Sequence, residues 1–133
     1  MNDPANGIGV FDYAPHSLVM PRASVVVHQA GIGTAGQALR AGRPMLIVPH
    51  GQDQPDNARR CVELGVGRLL AVKNYNVARV TKETCELLAS KNYQERAAEI
   101  GRTVEAEHGT ETACNLIEDA LRRRVNQTAA AVA

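Results

Sequence analysis

The sequence predicts an α/β fold, a Rossmann-like parallel sheet of about four strands flanked by helices and followed by C-terminal helices. Short apolar, β-branched runs alternate with segments of helical period, which is typical of βαβ units. Hydrophobic residues make up 44% of the 133 residues, yet there is one Phe and no Trp, so the core must be aliphatic and rich in alanine. Helices packed on a parallel sheet suit that composition. We expect one domain over residues 1–125 and a frayed tail over residues 126–133.

Four apolar runs are the predicted strands. The run over residues 8–13 is the weakest and ends before Pro15, whereas residues 24–28 form a continuous apolar run of the doubly buried kind. Residues 45–48 and residues 67–72 complete the predicted sheet.

Helices are predicted between and after these strands, over residues 34–41, from Pro55 to Gly65, and over residues 81–90, 92–107 and 110–124. Proline suits the first turn of a helix, and glycine suits the position just after its end. We expect Thr81 and Asn92 to cap the starts of their helices, because short polar side chains accept hydrogen bonds from first-turn N–H groups.

Charge and cysteine content exclude several classes of protein. Fifteen Lys and Arg against fourteen Asp and Glu give a net charge of +1, which removes the electrostatic case for a nucleic-acid partner. The apolar runs are far shorter than the roughly 20 residues of a membrane span, and no signal-peptide pattern opens the chain, so we expect a cytoplasmic protein. The three cysteines are widely spaced, so we expect reduced thiols. No set of residues with metal-ligand spacing occurs, and no metal or cofactor is expected.

Residues 28–34 read His-Gln-Ala-Gly-Ile-Gly-Thr, directly after a predicted buried strand and at the start of a predicted helix. Glycines there let the backbone approach a phosphate, and the free N–H groups of the helix start favour negative charge. The alternative is a tight turn that needs glycine only for its backbone angles. The segment is neither the GxGxxG fingerprint nor a Walker loop.

Polar residues follow two further strands. Asp53 and Gln54 combine a carboxylate with an amide, which together can hold vicinal hydroxyls, although helix capping by Asp53 or Asp56 is the alternative. Tyr13 and His16 can stack on a planar base, although a lone Tyr can also belong to the core. The three segments follow successive strands of one predicted sheet, as a single nucleotide-sugar site requires.

Taken in order, four motifs resemble the C-terminal, donor-binding domain of GT-B glycosyltransferases. They are Tyr-Ala-Pro-His at residues 13–16, the turn at residues 28–34, Ala-Leu at 38–39 with Ala-Gly-Arg-Pro at 41–44, and Asp-Gln-Pro-x-Asn at 53–57. The chain is most similar to the bacterial macrolide and natural-product enzymes related to UDP-glycosyltransferases. The resemblance extends over residues 10–121 and implies a partial GT-B C-terminal domain, without its own first strands.

The resemblance implies a role for each motif in binding a nucleotide diphosphate sugar. The family's base-stacking aromatic falls on Tyr13, the glutamine of that motif on His16, and the acidic residue that often holds the ribose on Gln37. Its phosphate-binding histidine falls on Gln29, and Ala30 replaces a frequent glycine. The donor-binding residues implied are Tyr13, His16, His28, Gln29, Gly31, Gly33, Thr34, Gln37, Asp53 and Gln54.

The implied reaction is inverting transfer of a hexose or deoxyhexose from a UDP- or dTDP-sugar to an acceptor hydroxyl. The resemblance locates the acceptor pocket and the catalytic histidine in an N-terminal domain outside this chain, so we assign no catalytic residue and expect the chain to be incomplete alone. The alternative is a non-catalytic nucleotide-binding or assembly module derived from that domain.

The resemblance also bears on association, because the missing first strands leave the strand over residues 24–28 without one neighbour. That strand must either pair directly with the strand over residues 8–13 or bury its edge in a homodimer, which we expect.

Overall fold

The computed structural model describes the backbone of residues 6–132 and the side chains of residues 6–124. Three strands form the sheet: β1 (Val26–His28), β2 (Met45–Ile47) and β3 (Gly67–Leu69). Over residues 6–132, six α-helices accompany them: α1 (His16–Val19), α2 (Ile32–Arg40), α3 (Gln54–Glu63), α4 (Val77–Ala89), α5 (Lys91–Ala106) and α6 (Gly109–Val132). Short 3-10 turns occur at Met20–Arg22 and Val72–Asn74.

The sheet is parallel, with the strand order β1-β2-β3. Val26 lies beside Met45, and Met45 lies beside Gly67, so the three strands run in step. α2 connects β1 to β2 and α3 connects β2 to β3, as βαβ units require. The predicted α/β class is therefore confirmed, with three strands in place of about four.

The prediction of a strand over residues 8–13 is wrong. Only a single bridge residue, Ile8, occurs there, and the segment is exposed to solvent, with 72% of the Phe11 surface accessible. A strand needs a neighbour for its N–H and C=O groups, and in the part of the chain that the structure describes the sheet contains only β1, β2 and β3. Direct pairing of this segment with β1 is therefore not observed.

Two helices start at residues other than the predicted ones. Asn76 Oδ1 accepts a hydrogen bond from the N–H of Arg79 at 3.1 Å, so α4 begins at Val77 and Thr81 lies inside the helix. Ser90 occupies the N-cap position of α5, which puts Asn92 within its first turn. The expected capping roles of Thr81 and Asn92 are therefore wrong.

The last helix, α6, begins at Gly109 and continues as backbone helix to Val132. The side chains of residues 125–133 lie outside the described residues, so fraying of residues 126–133 stays a prediction. No helix within the described range combines the length and the apolar character needed to cross a membrane.

The core has two layers, one on each face of the sheet. Met45 and Ile47 project to one face, where they pack with Ala38 of α2, Ala58 of α3 and Ala97 of α5. Leu46 projects to the opposite face, where Val48, Leu70 and Leu87 of α4 cover it. Successive side chains of a strand point to opposite faces, so β2 is buried on both sides. Buried alanines let the helices approach the sheet closely, as the composition predicted.

One polar side chain, that of His28 at the end of β1, lies in this core and is only 8% exposed. Its Nδ1 accepts a hydrogen bond from the N–H of Ala30 at 3.0 Å, so the ring is neutral with its proton on Nε2. Nε2 is buried without a hydrogen-bond partner among the described residues. Burial lowers the pKa of His28 below its ordinary value of 6.5, because the charged ring loses solvation.

Acid should therefore weaken the fold through His28. Below pH 6.5 the unfolded chain binds a proton at this residue that the folded chain does not bind until its lower pKa is reached. The free energy of unfolding should fall in that window by up to about 1.4 kcal/mol per pH unit. His28→Asn keeps an acceptor near Nδ1 but does not titrate, so urea unfolding should give it a smaller slope with pH. Equal slopes in the two proteins would contradict this assignment.

The contact between α2 and α5 should be intolerant of a single methyl group. A Cβ on Gly101 of α5 would lie 2.7 Å from Gly42 Cα and 3.0 Å from Gly42 N, backbone atoms that cannot turn away. We expect Gly101→Ala to lower the free energy of unfolding by about 1–3 kcal/mol. Gly36→Ala is the control, because a Cβ there meets nothing within 4 Å and alanine favours the helix. Similar stability of the two variants would show that the helices separate easily.

Candidate functional site

The first part of the site is the start of α2. Gly31 is the N-cap residue and has no side chain to satisfy the first-turn N–H groups of Ile32, Gly33 and Thr34. A Cβ on Gly33 would meet nothing within 4 Å, so the backbone is open there. The helix start can therefore receive an anion, with its dipole favouring negative charge.

The backbone conformation of Ala30, in the turn before α2, explains why the resemblance implies a frequent glycine at this position. Ala30 adopts a φ of 69°, in the left-handed region, and is fully buried. This conformation costs a non-glycine residue about 1–2 kcal/mol. The Nδ1 of His28 accepts a hydrogen bond from the N–H of Ala30, which helps to hold Ala30 in this conformation. His28 thus stabilises the turn from inside the core, and its ring does not face solvent.

Gln29 lies beside the open helix start. Its side chain is exposed, and its Nε2 is 3.3 Å from the position that a Cβ on Gly31 would occupy. Any side chain at residue 31 would therefore press on Gln29. The amide of Gln29 can donate to a phosphate oxygen from this position.

Tyr13, His16 and Gln37 line one cleft of about 500 Å³, together with neighbouring residues of the 12–17 segment. Tyr13 is 82% exposed, which excludes the alternative that it belongs to the core. Gln37 is four residues after Gly33 on α2, so the two lie on the same side of the helix. Gln37, which lines the cleft, therefore lies about one helical turn from the start of α2.

The loop after β2 presents Asp53 and Gln54. Asp53 occupies the N-cap position of α3, but its carboxylate makes no capping bond to the backbone. Its Oδ2 instead accepts a hydrogen bond from Asn57 Nδ2 at 2.8 Å, and Gln54 Oε1 accepts from the N–H of His50 at 2.8 Å. Asp53 Oδ1 and Gln54 Nε2 have no partner among the described residues. A negative acceptor and a neutral donor are thus presented side by side.

Asp56, the other residue considered as a cap, accepts hydrogen bonds from the guanidinium groups of Arg59 and Arg60. These two bonds hold the pKa of the Asp56 carboxyl below its ordinary value. Asp56 thus belongs to an exposed cluster of ion pairs along α3. This cluster shares no side-chain contact with Asp53 among the described residues.

Asn57 joins the two loops. Its Nδ2 donates to the carbonyl oxygen of Ala30 at 3.0 Å as well as to Asp53 Oδ2. The turn after β1 and the loop after β2 therefore meet at the carboxyl ends of neighbouring strands. The sequence places Asn57 in the Asp-Gln-Pro-x-Asn motif but predicts no role for it. Its spacing of four from Asp53 signals a side-chain pair on α3, but its contact with Ala30 has no local signal.

The predicted residues are thus grouped in two sets. Tyr13, His16 and Gln37 line one cleft, whereas Asp53 and Gln54 do not line it and are joined to the turn after β1 through Asn57. Among residues 6–124, no three His, Cys, Asp or Glu side chains lie close enough together to hold a metal ion.

The chain matches the family model for the C-terminal domain of erythromycin biosynthesis protein CIII-like proteins, over residues 2–119. It is 36% identical over 111 residues to the O-mycaminosyltylonolide 6-deoxyallosyltransferase of Streptomyces fradiae, covering 80% of this chain and 25% of that protein. It is 34% identical over 106 residues to the sterol 3-beta-glucosyltransferase of Vanderwaltozyma polyspora, covering 80% of this chain and 8% of that protein. The chain spans a quarter or less of both relatives.

Solved structures agree with this assignment. The glycosyltransferase of kitacinnamycin superposes with a TM-score of 0.76 at 32% identity, covering 84% of this chain and 29% of that one. The glycosyltransferase VinC in complex with dTDP gives the same TM-score at 30% identity, with the same coverage. The chain belongs to the EryCIII-like family, the C-terminal domain of GT-B glycosyltransferases.

Proposed function

We propose that this chain is the nucleotide-sugar donor-binding part of an inverting glycosyltransferase, which moves a hexose or deoxyhexose from a UDP- or dTDP-sugar to an acceptor hydroxyl. The observation that carries the proposal is the uncapped start of α2, whose open N–H groups lie one turn from Gln37 of the cleft and next to the turn that Asn57 joins to the Asp53 loop. The related 6-deoxyallosyltransferase and the dTDP complex of VinC support a deoxysugar donor activated by dTDP.

The diphosphate occupies the helix start in this proposal. First-turn N–H groups of α2, the hydroxyl of Thr34 and the amide of Gln29 donate to its oxygens. These donors stabilise the charge that develops as the diphosphate departs, which lowers the barrier to sugar transfer. Since these hydrogen-bond donors are neutral, the helix dipole supplies the attraction for the diphosphate that the resemblance assigns to a histidine.

The sugar and the base lie on either side of the diphosphate. Asp53 Oδ1 accepts from sugar hydroxyls, and Gln54 Nε2 donates to them, because both atoms lack partners among the described residues. The base stacks on Tyr13 beside His16, and Gln37 reaches the nucleoside sugar. An uncharged Gln37 removes the carboxylate that favours a ribose diol, which suits a deoxyribose.

Acid–base chemistry belongs to a partner domain in this proposal. An inverting displacement needs a base to take the proton of the acceptor hydroxyl as the sugar is transferred. His28 is excluded, since it is buried and its Nδ1 already accepts the N–H of Ala30. The resemblance to GT-B glycosyltransferases implies a base in an N-terminal acceptor domain, so in this proposal this chain alone binds the sugar nucleotide without turnover. We further propose a cytoplasmic location and no resident metal or cofactor.

A second candidate is a nucleotide-binding or assembly module without catalysis. The replacement of the usual phosphate-binding histidine by Gln29, and the strained Ala30, favour it. Nucleotide binding separates a functioning donor site from a site that has been lost.

Calorimetric titration with dTDP, UDP and GDP should show binding of dTDP or UDP. Gly33→Val should weaken that binding by at least about tenfold, because a branched side chain would cover the open N–H groups. Gly36→Val adds the same side chain one turn further along α2, also into open space, and should bind as the wild type does. A flat wild-type titration with all three nucleotides would refute the donor site. Equal affinity of Gly33→Val and the wild type would refute the phosphate position.

We also propose that the chain forms the homodimer predicted from its sequence. β1 is an edge strand whose Val27 is 48% exposed, and an exposed apolar edge promotes pairing with another chain. Light scattering over a dilution series should give a dimer that dissociates on dilution, and Val27→Lys should make the chain monomeric. Val62→Lys, an exposed valine of α3, is the matched control and should remain dimeric. A wild-type monomer at every concentration would exclude the dimer.

A further inference from the structure

We propose that Asn57 is a positioning residue that couples the phosphate turn to the sugar-contacting carboxylate of Asp53, so that the two ends of the donor reinforce each other in binding. The inference rests on the proposed function and deepens it. Asn57 itself needs no contact with the donor, because it acts through Ala30 and Asp53.

A single nitrogen atom makes both contacts. The amide of Asn57 carries two hydrogens, and Nδ2 donates to the Ala30 carbonyl at 3.0 Å and to Asp53 Oδ2 at 2.8 Å. Both amide hydrogens of Asn57 are therefore engaged by protein groups. Asn57 is half-buried in the first turn of α3, four residues after Asp53, so its side chain has little freedom to exchange one partner for another.

The first contact holds a strained residue. Ala30 is bound on both sides, with its N–H donating to His28 Nδ1 and its C=O accepting from Asn57. Its left-handed φ of 69° persists only while its surroundings hold it there. Without Asn57, Ala30 can relax toward an ordinary conformation. Gly31 follows Ala30 directly, and its carbonyl accepts the first bond of α2, from Ala35 N–H at 2.9 Å, so relaxation displaces the helix start.

The second contact orients the carboxylate. Asp53 is exposed, and Asn57 is its one side-chain partner among the described residues. With Oδ2 held by Asn57, Oδ1 remains for a sugar hydroxyl. A bound sugar that restricts the motion of the Asp53 carboxylate therefore also restricts Asn57 and strengthens its contact with Ala30. The turn is then better ordered for the diphosphate.

The binding experiment compares Asn57→Ala, Asp53→Ala and the double variant, using dTDP or UDP and the intact dTDP- or UDP-glucose. Asp53→Ala should weaken binding of the sugar nucleotide about tenfold and change binding of the free nucleotide little. Asn57→Ala should weaken binding of both ligands about tenfold. In the Asn57→Ala background, Asp53→Ala should cost much less, because its orientation is already lost. Additive effects, or a loss confined to the sugar nucleotide in Asn57→Ala, would overturn the coupling.

The control variant is Asp56→Ala. Asp56 lies in the same turn of α3, but its carboxylate contacts only Arg59 and Arg60 among the described side chains. Both ligands should bind Asp56→Ala as they bind the wild type. A loss equal to that of Asn57→Ala would assign the effect to the helix as a whole and overturn the proposal.

A ligand-free measurement separates this proposal from the proposed function. Amide hydrogen exchange at Ala30 should be at least about tenfold faster in Asn57→Ala, while exchange at Leu87 in the other core layer stays unchanged. Unchanged exchange at Ala30 would overturn the positioning role whatever binds. If Leu87 also loses protection, Asn57→Asp, which keeps the shape but not the donors, should show the effect at Ala30 alone. A wild type that binds no nucleotide would refute the proposed function, and exchange at Ala30 would then decide the role of Asn57.

Discussion

The parallel pairing of β1 with β2 is the constraint on which the rest of this structure depends. His28 lies beside Ile47, and the N–H of Val48 donates to the His28 carbonyl at 2.9 Å, so the two strands end at the same level of the sheet. Parallel strands direct their following segments to one edge. The turn at Ala30 and the loop at Asp53 are therefore neighbours before any side chain acts, and Asn57 only has to span a short gap between them. A change of register would separate these two loops.

The site is built almost entirely from neutral groups. His28 is kept neutral by burial, which lowers its pKa, and Gln29 and Gln37 stand at positions where the resemblance implies a histidine and a carboxylate. In the proposed function, attraction for a diphosphate comes from the oriented N–H groups of α2. Such groups are fixed by the helix and need little rearrangement when charge develops. Asp53 is the charged exception, and it faces the neutral part of the proposed donor.

α2 carries the site because its other side is rigidly packed. Its buried Ala35 and Ala38 lie in the core, and its end meets α5 where Gly42 and Gly101 approach closely. An approach of backbone to backbone leaves no room for the helix to rotate. The side with Gly33 and Gln37, which lines the cleft of Tyr13, is therefore presented in a defined orientation. A binding site on a firmly packed element keeps its geometry better than one on loops alone.

Local pattern in the sequence determined much of this architecture. The apolar run at residues 45–48, the glycines that open and close α2 and Pro55 at the start of α3 were each sufficient to predict an element, because strand and helix preferences act over a few neighbouring residues. Tertiary structure decided what depends on distant partners. The apolar run at residues 8–13 forms no strand because no described strand lies beside it, and Asn57 meets Ala30 across 27 positions of the chain. Such contacts follow from how the strands pair, and a hydrogen bond between distant loops leaves no periodic trace in the residues that make it.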